Sequence, residues 1–468
     1  MVVLDVSVVN VALPTITKSL HYSATGQQWI VNAYVLTFAG FLLLGGRAAD
    51  VFGQKKVFIL GLVIFTGASL VGGFAQNDVW LTTARAVQGF GGAILSPATL
   101  TIIITTFSGA KLARAIGMWS AVAGAGGATG ALLGGILVTE LSWRWVLFIN
   151  VPIGVVLGLM ALSYLPEHRR AVDARTMDVL GAVLVTAGLS TAVYGIVSTT
   201  TYPWTSARTL VTLGIAAVLL AAFGLTEARL AKFPLLPLRF FRSRTASGAN
   251  AVMLLVGGAF FSMWYFLTLF MQNVLGYSAL RTGFAFLPPS IAIIIGAQIS
   301  SRLMSRMGIW PIVTVGTALA TLGFSLLTRL APGSAYVTAI MLPNCLVAFA
   351  LGLLFTPLAA AATSTVQPTE AGLASGILST SRQVGGSLGL AILATVATTR
   401  AITVYGKSLP SYSSPQFHSP PVMHAISSGY DSAFRWSAGV TLLALVAGLA
   451  LRGVFPVRQA SPQLVAAD

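Results

Sequence analysis

Apolar runs recur along nearly the whole chain, and most are about 20 residues long, the length a helix needs to cross the hydrocarbon core of a bilayer. Water does not reach the backbone there. A crossing segment must therefore satisfy its own N–H and C=O groups as a helix, or join a closed barrel. Barrel strands would read as segments of about 10 residues with alternating polarity, and no such pattern occurs. Only 8% of the residues are charged and 56% are hydrophobic, against roughly 25% charged in a soluble domain. The fold expected is an all-α integral membrane protein.

Spans are expected near Met1–Leu20, Trp29–Arg47, Val57–Ala75, Val79–Phe107, Leu112–Val138 and Trp145–Leu165. Two more follow at Val179–Ser198 and Leu210–Leu230. A second set lies at Ala246–Leu275, Thr282–Leu303, Ile309–Leu330, Ala335–Ala362, Gly372–Val404 and Phe434–Val454. The segment around Tyr405–Ala433, rich in Ser, Pro and His, is expected to be an irregular cap. The two sets repeat each other. Gly117, Gly130 and Gly134 return as Gly372, Gly385 and Gly389, each 255 residues on. Gly92-x3-Ser96-Pro97 returns as Gly352-x3-Thr356-Pro357 after 260 residues. Such duplicated halves are how many secondary transporters are built, with the substrate path between them. The organisation expected is a six-helix bundle over 1–165, two linking helices within 166–245, a second bundle over 246–454 and a tail at 455–468.

The net charge of +16 does not point to nucleic acid, because the basic residues are scattered over short loops. The loops on the side of the N-terminus hold most of the Lys and Arg, with Arg85 and Arg382 inside spans. Positive loops mark the cytoplasmic face. A multi-pass protein of the cytoplasmic membrane with both termini inside is therefore expected. A lone cysteine, Cys345, rules out an intrachain disulfide. No cleavable leader is evident, and because Asp5 falls so near the first residue, the natural start is expected upstream. A helix beginning at Met1 would set Asp5 near the membrane surface.

Few residues in the spans carry chemistry. Asp5 is an acid in an apolar helix, and its charge costs about 2.5–3.5 kcal/mol at mid-membrane. Such a group needs a partner or a wet cavity, and desolvation favours its protonated form, so it can exchange protons. Arg85 carries five donors and no acceptor, and Gln88 lies one turn on. Asp50, between Gly46 and Gly53 and beside Lys55 and Lys56, sits in a short loop where the glycines permit a tight turn. Gly126, Gly130, Gly134 and Gly135 leave a smooth helix face for close packing. Asn32, Tyr34, Gln272, Asn273 and Arg382 are candidates to line a cavity. The four histidines lack metal-site spacing, and no phosphate-binding Gly-x4-Gly-Lys segment occurs.

These segments resemble the fourteen-helix drug:proton antiporters of the major facilitator superfamily, the QacA/EmrB-like group. The likeness runs through Leu4-Asp5 to Leu13-Pro14, Gly46-Arg47 to Lys55-Lys56, Arg85-Ala86-Val87-Gln88-Gly89-x-Gly91-Gly92 and Gly126-x3-Gly130-Ala131-x2-Gly134-Gly135. Trp143-Arg144-Trp145 through Asn150-Val151-Pro152 adds to it. The chain departs from the group's patterns at Ala48, Val51, Gln54 and Ala131. The resemblance implies two six-helix bundles with two extra central helices. It also implies proton-coupled efflux of lipophilic drugs by alternating access, with Asp5 and Arg85 in coupling and Asp50 latching a gate near Gly372. The expected partners are the bilayer, a small lipophilic substrate and protons. The expected working form is a monomer driven by the proton gradient, without a cofactor. A transporter of the same fold for an endogenous metabolite or lipid remains the alternative. A membrane enzyme or sensor would need clustered His, Cys or carboxylates, which the spans do not offer.

Overall fold

The computed structural model describes residues 1–23, 26–107, 109–165, 178–231, 234–236, 238–364, 371–410 and 414–452. For some helical residues, Asp50 and much of 100–128 among them, only the backbone is described. Fourteen long helices cover these residues, and no strand occurs among them. The first six are α1 (Val2–Ser19), α2 (Trp29–Phe52), α3 (Gln54–Gly73), α4 (Asp78–Thr106), α5 (Gly109–Glu140) and α6 (Asn150–Tyr164). Next come α7 (Val179–Ser198) and α8 (Ala207–Leu225). The last six are α9 (Arg244–Leu269), α10 (Leu287–Met307), α11 (Ile309–Leu327), α12 (Leu342–Thr363), α13 (Ala371–Tyr405) and α14 (Pro420–Arg452). Short helices at Trp145–Phe148 and Ala279–Ala285 lead into α6 and α10. Among the described residues twelve of the passes are long and apolar enough to cross a membrane, and α5 adds the shorter apolar stretch Thr129–Glu140.

The sequence repeat is a packing repeat. Gly130 and Gly134 of α5 press on the backbone of α1 at Leu4 and Val8, so that an added Cβ would lie 2.9 Å from either carbonyl. Gly385 and Gly389 of α13 press in the same way on α9, at Leu254 and Gly258. Gly92 of α4 meets Tyr34 and Phe38 of α2, and Gly352 of α12 meets Ile293 and Ala297 of α10. In each half the fifth helix rides on the first and the fourth on the second. The inserted helices α7 and α8 pair through Gly188 and Gly195. Helix α7 leans on α2, where Gly40 admits Thr186, and its Val193 and Val197 share an apolar cluster with Leu36 of α2 and Ala391 of α13. The inserted pair thus lies beside the seam between the bundles.

Three expectations change. The segment before Phe434 is not an irregular cap: Pro420 opens α14, after a 3-10 turn at Pro415–His418. Val422, Met423, Ile426, Tyr430 and Ala433 face the core at helical spacing, and the polar residues of the other face hid them from a hydropathy reading. Gly46 makes no turn. Helix α2 runs through it to Phe52, and Gly53 alone, at φ 92°, reverses the chain into α3. Asp5 is fully buried in the bundle interior, not at a surface.

At the end of the molecule opposite Gly53 the two bundles touch through glycine. A Cβ on Gly135 of α5 would lie 2.7 Å from the Ala279 carbonyl and the Leu280 Cα, and one on Gly283 would lie 2.5 Å from the Ala131 carbonyl. Backbone cannot yield as a side chain can. Gly135→Ala should therefore lower the thermal unfolding midpoint in detergent. Gly214→Ala, whose added Cβ meets nothing within 4 Å, should leave it unchanged or raise it, since alanine favours a helix by about 1 kcal/mol. Equal midpoints for the two variants would contradict this packing.

Candidate functional site

Glycines on α4 build the site. Gly89 lets α4 lie on the α2 backbone at Tyr34, Gly92 makes room for the Tyr34 and Phe38 side chains, and Gly91 lets α4 lie on α3 at Phe65. Tyr34 and Ser69 are thereby brought to the Arg85–Gln88 turn. A second anchor comes from the link between α5 and α6. Arg144 donates to the Gly73 and Ala75 carbonyls at 2.9 and 2.7 Å, and Trp143 Nε1 donates to Ser19 Oγ at 3.0 Å. These bonds pin the segment to the ends of α1 and α3, and Asn150 is delivered inward at the first turn of α6.

Asp5 occupies the centre. Arg85 Nη1 donates to Asp5 Oδ2 at 2.6 Å, and Gln88 Nε2 and Asn150 Nδ2 each donate to Oδ1 at 2.8 Å. Arg85 also donates to Gln88 Oε1 at 2.6 Å and, through Nε, to the Ile30 carbonyl at 3.1 Å. Ser69 Oγ accepts from Gln88 and Asn150 and donates to the Leu147 carbonyl at 2.8 Å. The guanidinium stands 4.4 Å from the centre of the Tyr34 ring. Asp5 is 0% and Arg85 2% exposed. The site therefore holds one charge pair, away from water, with the hydrogen bonds a buried pair requires. Among the described residues no group of His, Cys, Asp and Glu could hold a metal ion.

The remaining candidates divide. Gln88 belongs to the Asp5 network. Asn32 is fully buried with both amide atoms unpartnered, and the Tyr34 hydroxyl is unpartnered as well. Gln272 and Asn273 fall on a π-helical turn, Phe270–Val274. Gln272 donates to the Val11 carbonyl of α1 at 2.8 Å, a bond between the bundles. Both residues line a cavity of about 360 Å³ with Pro14, Thr15, Lys18, Tyr277 and His418. Arg382 lies elsewhere, on α13, with its guanidinium 5.1 Å from the Phe355 ring centre. Lys55 ties α3 to the Leu162 carbonyl of α6 at 2.9 Å, and Lys56 is exposed. Gly126 makes only ordinary contact with Leu4 and Val3. Helix α5 continues unbroken through Ala131. The side chain of Asp50 and the tail at 455–468 lie outside the described residues.

Asn150 and Ser69 were not among the residues singled out from sequence. The signal that could have found Asn150 was its place after Trp143-Arg144-Trp145, a segment whose ring and guanidinium fix the loop. Ser69 had none, since a serine in an apolar helix usually bonds its own backbone.

A family model described as the Major Facilitator Superfamily matches residues 1–390. The chain belongs to that superfamily. Among its relatives are the cephamycin export protein CmcT of Amycolatopsis lactamdurans, 43% identical over 85% of this chain and 82% of that protein. The puromycin resistance protein pur8 of Streptomyces alboniger is 37% identical over 95% and 88%. The multidrug resistance protein Stp of Mycobacterium tuberculosis is 35% identical over 85% and 73%. Of solved structures, an inward-facing, occupied bacterial homolog of the human lysosomal transporter Spinster superposes with a TM-score of 0.70 at 15% identity, covering 98% of this chain and 96% of that one. That likeness concerns the superfamily fold. The chain is a multi-pass membrane transporter, and its relatives bear out the resemblance to drug and antibiotic efflux proteins.

Removing one partner of a buried pair strands the other charge, a loss of roughly 3–5 kcal/mol. Arg85→Gln should unfold at markedly lower temperature than the parent in detergent, and Asp5→Asn added to it should restore much of the difference. A double variant no more stable than Arg85→Gln alone would contradict the coupling.

Proposed function

We propose that this transporter exports small lipophilic compounds of the antibiotic class across the cytoplasmic membrane by alternating access, driven by protons that Asp5 carries. The observation that carries the reading is the sealed Asp5–Arg85 pair inside a superfamily transporter whose relatives are export and resistance proteins. Protonating Asp5 cancels its charge and leaves Arg85 uncompensated, so the surrounding bonds to Gln88 and Asn150 must rearrange. A packed glycine seam can follow such a change by sliding. The bias of basic loops supports cytoplasmic termini. Both bundles come from one chain, which supports a monomer as the working unit. The cavity beside Gln272 and Asn273, between α1 and the end of α9, is well placed as an exit vestibule.

Expression in an efflux-deficient host should raise resistance to members of an antibiotic panel. In inside-out vesicles with an imposed pH gradient, compared at matched membrane level, Asp5→Asn should abolish gradient-driven transport, because an amide carries no proton. Parent-like transport by this variant would remove Asp5 from coupling.

Asp50 is proposed as a latch, its carboxylate meeting the start of α13. A charge at a helix N-terminus contributes about 0.3–1 kcal/mol, so Asp50→Asn should reduce disulfide cross-linking between cysteines placed at the facing ends of α2 and α13. Equal cross-linking in variant and parent would dismiss the latch.

A further inference from the structure

Two ion pairs within helices contrast with an arginine that has none among the described residues. Asp5 is bonded to Arg85, and Asp431 is bonded to Arg435 at 2.7 Å on α14. Arg382 lies eleven residues into α13 and has no hydrogen-bond or ion-pair partner among the described residues. Its side chain is partly buried. Its backbone packs on Gly257 of α9, and Ser381 next to it donates to Asn250 Oδ1 of the same helix at 2.9 Å. The guanidinium turns instead toward Phe355 of α12. α12 and α13 touch sparingly compared with the close α9–α13 packing, and the guanidinium lies on the α12 side of α13.

An arginine does not lose its proton in a protein, and in a membrane span its charge calls for an anion. None is supplied by the described residues. The neighbouring phenyl ring is suited to hold an apolar body against the guanidinium, which itself can grip a carboxylate or sulfonate with two parallel bonds. We infer that Arg382 and Phe355 form the substrate subsite, and that it takes amphipathic monoanions: an aromatic or lipophilic body carrying one carboxylate or sulfonate. This rests on the export reading and adds the charge class of the cargo. A site with this sign disfavours cations, because the described residues of the second bundle offer no free carboxylate to pair them.

The test is equilibrium binding to the purified protein in phosphatidylcholine nanodiscs, with radiolabelled 1-naphthylacetate, its methyl ester and 1-naphthylmethylamine as probes. The parent should bind the acid at least roughly tenfold more tightly than the ester, the worth of one charge-assisted hydrogen bond, and the amine most weakly. In Arg382→Gln the acid-to-ester ratio should fall to near one. Arg382→Lys should fall between, since a point charge replaces the planar fork. A parent that binds ester and acid alike overturns the subsite, and that measurement needs no variant to fold. So does an Arg382→Gln protein that keeps the acid preference. An acid preference that disappears when phosphatidylglycerol is added assigns the guanidinium to a lipid headgroup and overturns the substrate assignment. Resistance to the antibiotic panel without any acid preference would sink the subsite and leave export standing. An acid preference without export of any panel member would do the reverse.

Discussion

Close backbone approach at glycine holds this molecule together. In a bilayer, an apolar side chain gains little by leaving lipid for another helix, so association depends on van der Waals packing and on bonds between helices. Gly130 and Gly134 on α1, Gly385 and Gly389 on α9, and Gly89 and Gly91 on α2 and α3 bring helices together where any side chain would meet backbone. The same device makes the contact between the bundles at Gly135 and Gly283. Because it recurs in both halves at equivalent places, the two bundles have the same internal architecture. At Gly135 and Gly283 the seam is backbone against backbone.

The polar site depends on that packing. A carboxylate and a guanidinium taken out of water lose several kcal/mol of hydration each, and they recover it only with good geometry and with their remaining bonds filled. Helices α1, α2, α3, α4 and α6 each contribute one of those bonds, the Ile30 carbonyl, Ser69 and Asn150 included. Arg85 and Gln88 could not reach Asp5, Ile30 and Ser69 if α4 stood a side chain farther from its neighbours. Arg382 has no such partners. The contrast between a neutralised arginine in the first bundle and one without an ion-pair partner among the described residues in the second is what the proposed proton and cargo sites rest on.

The membrane class, the fourteen passes and the repeat were legible because each rests on a local property. An apolar run of sufficient length is a helix in hydrocarbon whatever surrounds it, and glycine spacing survives as spacing in the fold. The pairing of Asp5 with Arg85 and Gln88 was legible only as a need, since a charge in a span requires a partner without naming one. Where polar residues line one face of a long helix, as over Pro420–Ala433, hydropathy read a loop, and the burial of Met423, Ile426 and Tyr430 corrected it. Gly46 read as a turn because glycine permits one. The helix around it is continuous because nothing there requires one.

The sequence by itself determined that this chain lies in a membrane, that its halves match, and which few residues bear charge within it, since those follow from transfer free energy and chain periodicity. Only the tertiary structure decided which charges neutralise each other. That outcome depends on ångström-scale distances between groups far apart in sequence, 145 residues for Asn150 and Asp5, and no local property of the chain encodes them. It placed Asn150 and Ser69 around the carboxylate, and Gln272 on the Val11 carbonyl across the seam. It left Arg382 beside the Phe355 ring of α12, without a hydrogen-bond or ion-pair partner among the described residues.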